Sequence, residues 1–408
     1  MYRFATILLI ISLLFGIIPP WRALADIKVL EPQVDYTFGG QIIFRVNIQS
    51  DTPLKNVQVF FRSEGDTSTI GETATINSQG EAVYVYDLTH QPLLAFSKID
   101  YWFTVTPQTG VAFTSPVYSF FYEDNRFNWQ VLQENSLRVH WYEGNISFGR
   151  SVLDSAQRGL QRIQSLISST TLGEIDIYAY ANAFEMQSAS RLGGVNWIAG
   201  HADPELGVMM ASLPSGPDQL METQRQVPHE LMHIIMYRSV GQGYQNLPVW
   251  LKEGLASAVE LNPNPDYQRI VIAAIEKGTW IPMASLCQSF PSDASNAFLA
   301  YAESALFTRY LHGQSGTSGL QALVKNYANG LDCERGTEAV LGSSLSQLEK
   351  QWKQEAFSEN NTLDALVKLI PWLILLASVL VVPIILTLVG IRQKRRDPVK
   401  RGISTKGV

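Results

Sequence analysis

Val227-Pro-His-Glu-Leu-Met-His233 and, after a glycine-rich connection, Leu247-Pro-Val-Trp-Leu-Lys-Glu-Gly-Leu-Ala256 are the stretches on which the reading of this chain turns. The first contains H-E-x-x-H. On a helix, residues four apart lie one turn apart on the same face, so His229 and His233 can reach a single zinc ion with Glu230 beside them as a general base. A third ligand is still needed. Glu253 is the natural source, because it stands in a second helical stretch opened by Pro248, a residue suited to the first turn, and a neighbouring helix can carry its carboxylate to the metal.

Together with the histidine pair, Trp250-Leu-Lys-Glu-Gly-Leu-Ala256 resembles the gluzincins, zinc metallopeptidases whose third ligand is the glutamate of W-x-x-E-G-x-A. The resemblance implies one zinc per chain, held by His229, His233 and Glu253, and a peptide or protein substrate. It is nearest in pattern to the aminopeptidase N-like branch and departs from it in two places. Nineteen residues separate His233 from Glu253, one more than the usual spacing there. The branch also carries G-x-M-E-N, whose glutamate holds the substrate's free amine, where this chain has Gly207-Val-Met-Met-Ala211.

Further roles follow from the same resemblance, which spans roughly residues 139–352. Leu299-Ala-Tyr-Ala-Glu-Ser304 through Leu311 is similar to the helix after the second motif in the peptidase MA-like group. By position, Tyr301 would project a phenol toward the metal site and stabilise the oxyanion of a tetrahedral intermediate, with Tyr310 as second choice. Glu260, seven residues after Glu253 and expected on the same helix face, resembles an acid that orients metal ligands. In gluzincins the strand before the histidine helix binds substrate backbone by strand addition. Gly207–Ser212 holds that place, so Gly207, Met209 and Ala211 are the expected substrate-binding positions, a plain core strand being the other reading of Met209 and Met210. Val195-Asn-Trp-Ile198 and Gly207-Val-Met-Met-Ala211 flank Asp203-Pro204 and are expected to form a hairpin, with His201 the scattered histidine nearest the cleft. Ala211, in a stretch that has no glutamate, points to an endopeptidase, unless Asp203 or Glu205 supplies the amine anchor instead.

Around this centre the chain divides by composition. Residues 1–25 read as a signal peptide: Arg3 precedes an apolar run from Phe4 to Ile18, and Ala23-Leu-Ala25 is a small-x-small cleavage site. Residues 26–124 alternate with period two, as in Ile42, Phe44, Val46 and Ile48, with turn signals such as Asn77-Ser-Gln-Gly80 between runs. This is the pattern of a small antiparallel sandwich, immunoglobulin- or fibronectin-like. After Phe127 the period changes, and Val152, Leu153, Ala156, Leu160, Ile163 and Ile167 trace one face of a helix. Residues 125–360 are the expected metallopeptidase domain. Pro228 removes one backbone donor, so the histidine helix either begins near it or bends there.

Leu369 to Ile391 carries no charge, is long enough to cross a bilayer, and is followed by Arg392, Lys394, Arg395, Arg396, Lys400 and Arg401. The reading is a transmembrane helix over 369–391 and a basic cytoplasmic tail over 392–408, with the ectodomain outside the cell membrane. The whole chain has a net charge of −6 although the tail is basic, so the ectodomain is acidic and suits no nucleic acid. Cys287 and Cys333 are the only cysteines, and a pair in an exported segment is expected to bridge.

The expected fold class is α+β: an N-terminal β-sandwich, a zincin-like α+β metallopeptidase domain and one C-terminal membrane helix. The expected function is a membrane-anchored extracytoplasmic zinc peptidase. The alternative is a non-catalytic surface protein whose gluzincin-like body serves binding or adhesion.

Overall fold

The computed structural model describes residues 27–167, 173–192 and 202–396. The expected leader, Val195–Ile198, His201 and the tail beyond Arg396 lie outside the described residues.

The N-terminal alternation folds as strands: β1 (Ile27–Val29), β2 (Gln33–Thr37), β3 (Gln41–Ser50), β4 (Leu54–Ser63), β5 (Ile70–Thr73), β6 (Thr75–Ile76), β7 (Glu81–Asp87), β8 (Ser97–Pro107), β9 (Phe113–Thr114) and β10 (Tyr118–Tyr122). One sheet runs β1-β3-β7-β6 with β2 beside β3, and the other runs β10-β8-β4-β5 with β9 beside β8. Every pairing is antiparallel. Successive side chains of a strand point to opposite faces, and the buried set is Ile42, Phe44, Val46, Val57, Val59, Phe61, Phe103 and Val105. Phe44 stacks on Phe61 at 4.9 Å across the layers.

A third sheet follows: β11 (Gln130–Glu134), β12 (Leu137–Trp141), β13 (Ile175–Tyr180), β14 (Ala202–Asp203) and β15 (Val208–Ser212), in the order β11-β12-β13-β15-β14. Its centre, β12-β13-β15, is parallel and its two margins are antiparallel. Parallel neighbours need a crossover, and helix α1 (Ile146–Leu166) provides the first. Asn145 caps it by accepting from the backbone of Ser147 and Phe148, and Val152, Leu153, Ala156 and Ile163 form its buried face. The second helix, α2 (Ala183–Leu192), follows β13, and α3 (Gln219–Val240) follows β15.

Among the described residues β14 pairs with β15 in a hairpin, and the expected first strand, Val195–Ile198, lies outside them. Ala202–Asp203 pairs with Val208–Met209, and Asp203, expected in the connection, ends the strand and accepts from the amides of Glu205 and Leu206.

One face of the third sheet shares a core with the sandwich. Tyr178, Tyr180, Val208 and Met210 belong to the same buried cluster as Phe96 and Phe103, and Phe96 meets Tyr178 at 4.4 Å. A polar knot sits beside it: fully buried Asp124 takes Arg126 in a two-pronged bond, accepts from the Tyr180 hydroxyl at 3.0 Å, and offers its carbonyl to the Trp129 indole. Buried charge survives only with such partners.

The chain forms two compact units. The first comprises the described residues to Tyr244 together with Val259–Pro263, and holds all three sheets. The second comprises Gln245–Ala258 and the described residues from Asn264 onward. It contains α4 (Val249–Ala258), α5 (Asp266–Lys277), α6 (Ala294–Ala328), α7 (Cys333–Leu341) and α8 (Leu345–Arg396). A 1.98 Å disulfide joins Cys287 to Cys333. Among the described residues, one helix segment is long and apolar enough to cross a membrane: Leu369–Arg392, mean hydropathy 2.9. It is the distal part of α8, which runs on through Pro371 and Pro383. The chain is thus α+β, with antiparallel sheets first and helices after.

Candidate functional site

Helix α3 begins at Gln219, so Pro228 lies inside it and does not start it. A proline in a helix leaves the carbonyl four residues earlier without its usual donor. Here that carbonyl belongs to Gln224, and the amide of Leu261 donates to it at 2.9 Å. The helix therefore passes the proline with its hydrogen bonding intact, and the same contact fixes the Val259–Pro263 segment beside the histidines.

His229 and His233 are one turn apart on α3, with ring centroids 5.3 Å apart. Each has its Nδ1 engaged. His229 Nδ1 lies 3.0 Å from the carboxylate of Glu260, which is itself buried. His233 Nδ1 lies 3.0 Å from the hydroxyl of Tyr244. A carboxylate accepts, so the proton of His229 sits on Nδ1 and the lone pair on Nε2. The phenol oxygen can accept in the same way from His233. This is the tautomer that binds a metal through Nε2 and orients the ring through its other nitrogen. Glu230, between the two, is 6% exposed.

Glu260 is not on the helix face expected for it. Helix α4 ends at Ala258, and the following stretch Asn262-Pro-Asn-Pro265 cannot continue a helix. Arg162 of α1 donates instead to the Glu260 carbonyl, and the carboxylate turns toward His229. Tyr244 escaped the sequence reading altogether. Its one signal is a lone phenol at the end of Gly241-Gln-Gly-Tyr244, in the 3-10 turn that follows the histidine helix.

In the second unit, Glu253 lies in the middle of α4 and is 1% exposed. Pro248 precedes the helix, and its carbonyl accepts from Leu251 and Lys252. Burial holds the Lys252 ammonium below its usual range, with Glu253 acting against that. A carboxylate this deep is retained only with a partner or a metal. The three side chains His229, His233 and Glu253 supply two imidazoles and one carboxylate, a donor set that could hold a metal ion and that suits zinc.

The other expected site residues are placed as follows. Tyr301 is part-buried on α6 and meets Phe290 edge-on at 4.9 Å. Tyr310 lies farther along α6, its phenol raised by burial and by Glu355. Gly207 has φ +74°, and a side chain there would run into Arg238 and the Glu174 carbonyl. Met209 and Ala211 are fully buried. The Met209 backbone pairs with Ile177 on one side and Ala202 on the other, and Ala211 pairs with Ala179. Of the scattered histidines, His140 is buried against Asp176 at 2.7 Å and His90 is exposed beside Asp87.

Solved structures similar to this chain align with about a quarter of it. They include a family 56 carbohydrate-binding module, a β-1,3-glucan binding domain, at 15% identity over 24% of this chain and 99% of that one, TM-score 0.17. OgpA from Akkermansia muciniphila aligns at 12% identity over 25% of this chain and 30% of that one, TM-score 0.21. Likenesses of this size carry no argument about function. No curated protein matches the sequence. The family model of the Peptidase MA superfamily matches residues 155–358, half of the 408 residues and the span from α1 through both motifs into α8. This chain belongs to the Peptidase MA superfamily.

Proposed function

We propose that the protein is a membrane-anchored, extracytoplasmic zinc-dependent endopeptidase. The observation that carries this reading is the pair of Nδ1 contacts, Glu260 on His229 and Tyr244 on His233, which set both imidazoles of an H-E-x-x-H helix for ligation through Nε2. Glu253, one turn of the W-x-x-E-G helix away from Trp250, completes a three-ligand set. Zinc bound there supplies Lewis acidity and an acidified water.

The chain's own groups do the rest. Glu230 stands next to a ligand without being one, so its carboxylate takes the proton from the attacking water and passes it to the leaving amine. Tyr301 donates its phenol hydrogen to the oxyanion. The substrate peptide lies extended along the margin of the third sheet where β14 borders β15. Counted from Gly207, the glutamate of G-x-M-E-N falls on Met210, and neither Met210 nor Ala211 offers a carboxylate to a substrate amine, which favours cleavage inside a chain. Leu369–Arg392 anchors the protein, and the basic residues after it keep the C-terminus in the cytoplasm and the catalytic part outside.

Metal analysis of the purified full chain tests this. One zinc per chain is expected in the wild type and in Glu230→Gln, with peptidase activity lost only in the latter. His229→Ala, His233→Ala and Glu253→Ala should each lose the metal. Stoichiometric zinc in Glu253→Ala would remove Glu253 from the ligand set, and an active Glu230→Gln would remove the base.

A further inference from the structure

The disulfide grips the helix that carries Glu253. The two half-cystines bond to consecutive residues in its first turn: the Val249 amide donates to the Cys287 carbonyl at 2.9 Å, and the Trp250 indole N–H donates to the Cys333 sulfur at 3.4 Å. Trp250 is fully buried and meets Phe307 at 5.3 Å and Tyr327 at 6.5 Å, both edge-on. Tyr327 in turn donates its hydroxyl to the Cys333 carbonyl at 2.8 Å. At mid-helix, Gly254 is pressed so closely on α6 that a side chain there would meet the Ser304 carbonyl at 2.6 Å and the Thr308 hydroxyl at 2.0 Å. The seat of α4 thus rests on α6 beneath and on the bridged pair at its entrance.

We propose that the Cys287–Cys333 bridge is a positioning device for Glu253, so that its oxidation state sets how tightly the metal is held; this rests on Glu253 being a ligand. The two cysteines are 46 residues apart in sequence and belong to different segments, the 3-10 turn at Met283–Leu286 and the start of α7. Opened, each segment keeps only its own bond to α4, and the pair no longer holds the helix entrance between them. A metal ligand set tolerates displacements of only a few tenths of an ångström. Both sulfurs belong to part-buried residues, within reach of a small reductant. In the reducing step a trialkylphosphine and water open the bridge: the phosphorus loses two electrons and gains the water oxygen, and the sulfurs take up two electrons and two protons as thiols.

The test compares three forms of the full chain in detergent: oxidised wild type, wild type reduced with the phosphine and desalted, and Cys287→Ser/Cys333→Ser. Zinc dissociation constants come from chelator competition, with circular dichroism recorded on the same samples. The expected result is a constant weaker by about 10- to 100-fold in the reduced and serine forms with helix content unchanged, the loss typical of removing a group that orients a ligand, and recovery when the reduced sample is re-oxidised. Equal constants in the oxidised and reduced wild type overturn the proposal, and they do so even where the serine variant does not fold. Absence of stoichiometric zinc from the oxidised wild type, or its persistence in Glu253→Ala, instead overturns the ligand assignment on which the proposal rests.

Discussion

His229 and Glu260 meet at 3.0 Å, imidazole Nδ1 to carboxylate, although Glu260 lies beyond the end of the helix that carries Glu253. A carboxylate behind a ligating histidine fixes its tautomer and raises its basicity. Glu260→Ala should therefore weaken zinc binding by about 10- to 100-fold, whereas Glu260→Gln, whose amide oxygen still accepts from Nδ1–H, should lose much less. Chelator competition on the two variants measures this. An alanine variant with wild-type affinity would leave Glu260 without a role at the metal.

Glu303 of α6 is fully buried and accepts from the Ile281 amide at 3.2 Å. Burial pushes its carboxyl up from 4.5 to about 8; the Ile281 bond and Lys353 oppose the shift, and the charge of Glu349 adds to it. The folded chain thus keeps a proton that the unfolded chain releases. Where the unfolded state binds fewer protons, stability falls as pH rises, so this group's contribution is intact below about pH 4.5 and is lost progressively toward pH 8. Thermal midpoints across that range should decline in the wild type and decline less in Glu303→Gln. Parallel curves for the two proteins would assign the decline to other groups.

Gly254→Ala should destabilise the second unit by about 1–3 kcal/mol, the usual cost of forcing a methyl group into packed space. The Ser304 carbonyl that blocks it is backbone and cannot rotate aside as a side chain can. Denaturant unfolding of variant and wild type gives the difference, and a value near zero would mean that α4 and α6 separate freely.

Peptides acetylated at the N-terminus should be cleaved as fast as their free forms. An aminopeptidase must pair the substrate's ammonium group with an anion, because leaving that charge desolvated costs several kcal/mol, and positions 210 and 211 are a buried methionine and a buried alanine. Rates for one cleavable sequence with free and blocked ends decide the matter. A collapse on acetylation would point to Asp203 or Glu205 as the amine anchor.

The sequence by itself determined everything that depends on local periodicity. Ile42, Phe44, Val46 and Ile48 alternate because strands do, and they are buried as that alternation requires. His229 and His233 fall on one face because four residues make about one helical turn. The apolar run Leu369–Ile391 was equally legible, since length and composition suffice for it, and the two cysteines of the chain are joined as a lone pair is expected to be. Only the tertiary structure decided the contacts made across the chain. Whether Pro228 breaks its helix depends on Leu261, whose amide takes the orphaned Gln224 carbonyl. The seven-residue spacing of Glu260 from Glu253 suggested a shared helix face, but α4 stops at Ala258 and Arg162 holds the Glu260 backbone where its carboxylate can turn to His229. Tyr244 has no motif at all, because a hydrogen bond to His233 Nδ1 requires only a hydroxyl at the right point in space. Patterns record which face a residue occupies; the partner on that face is fixed by how distant segments pack.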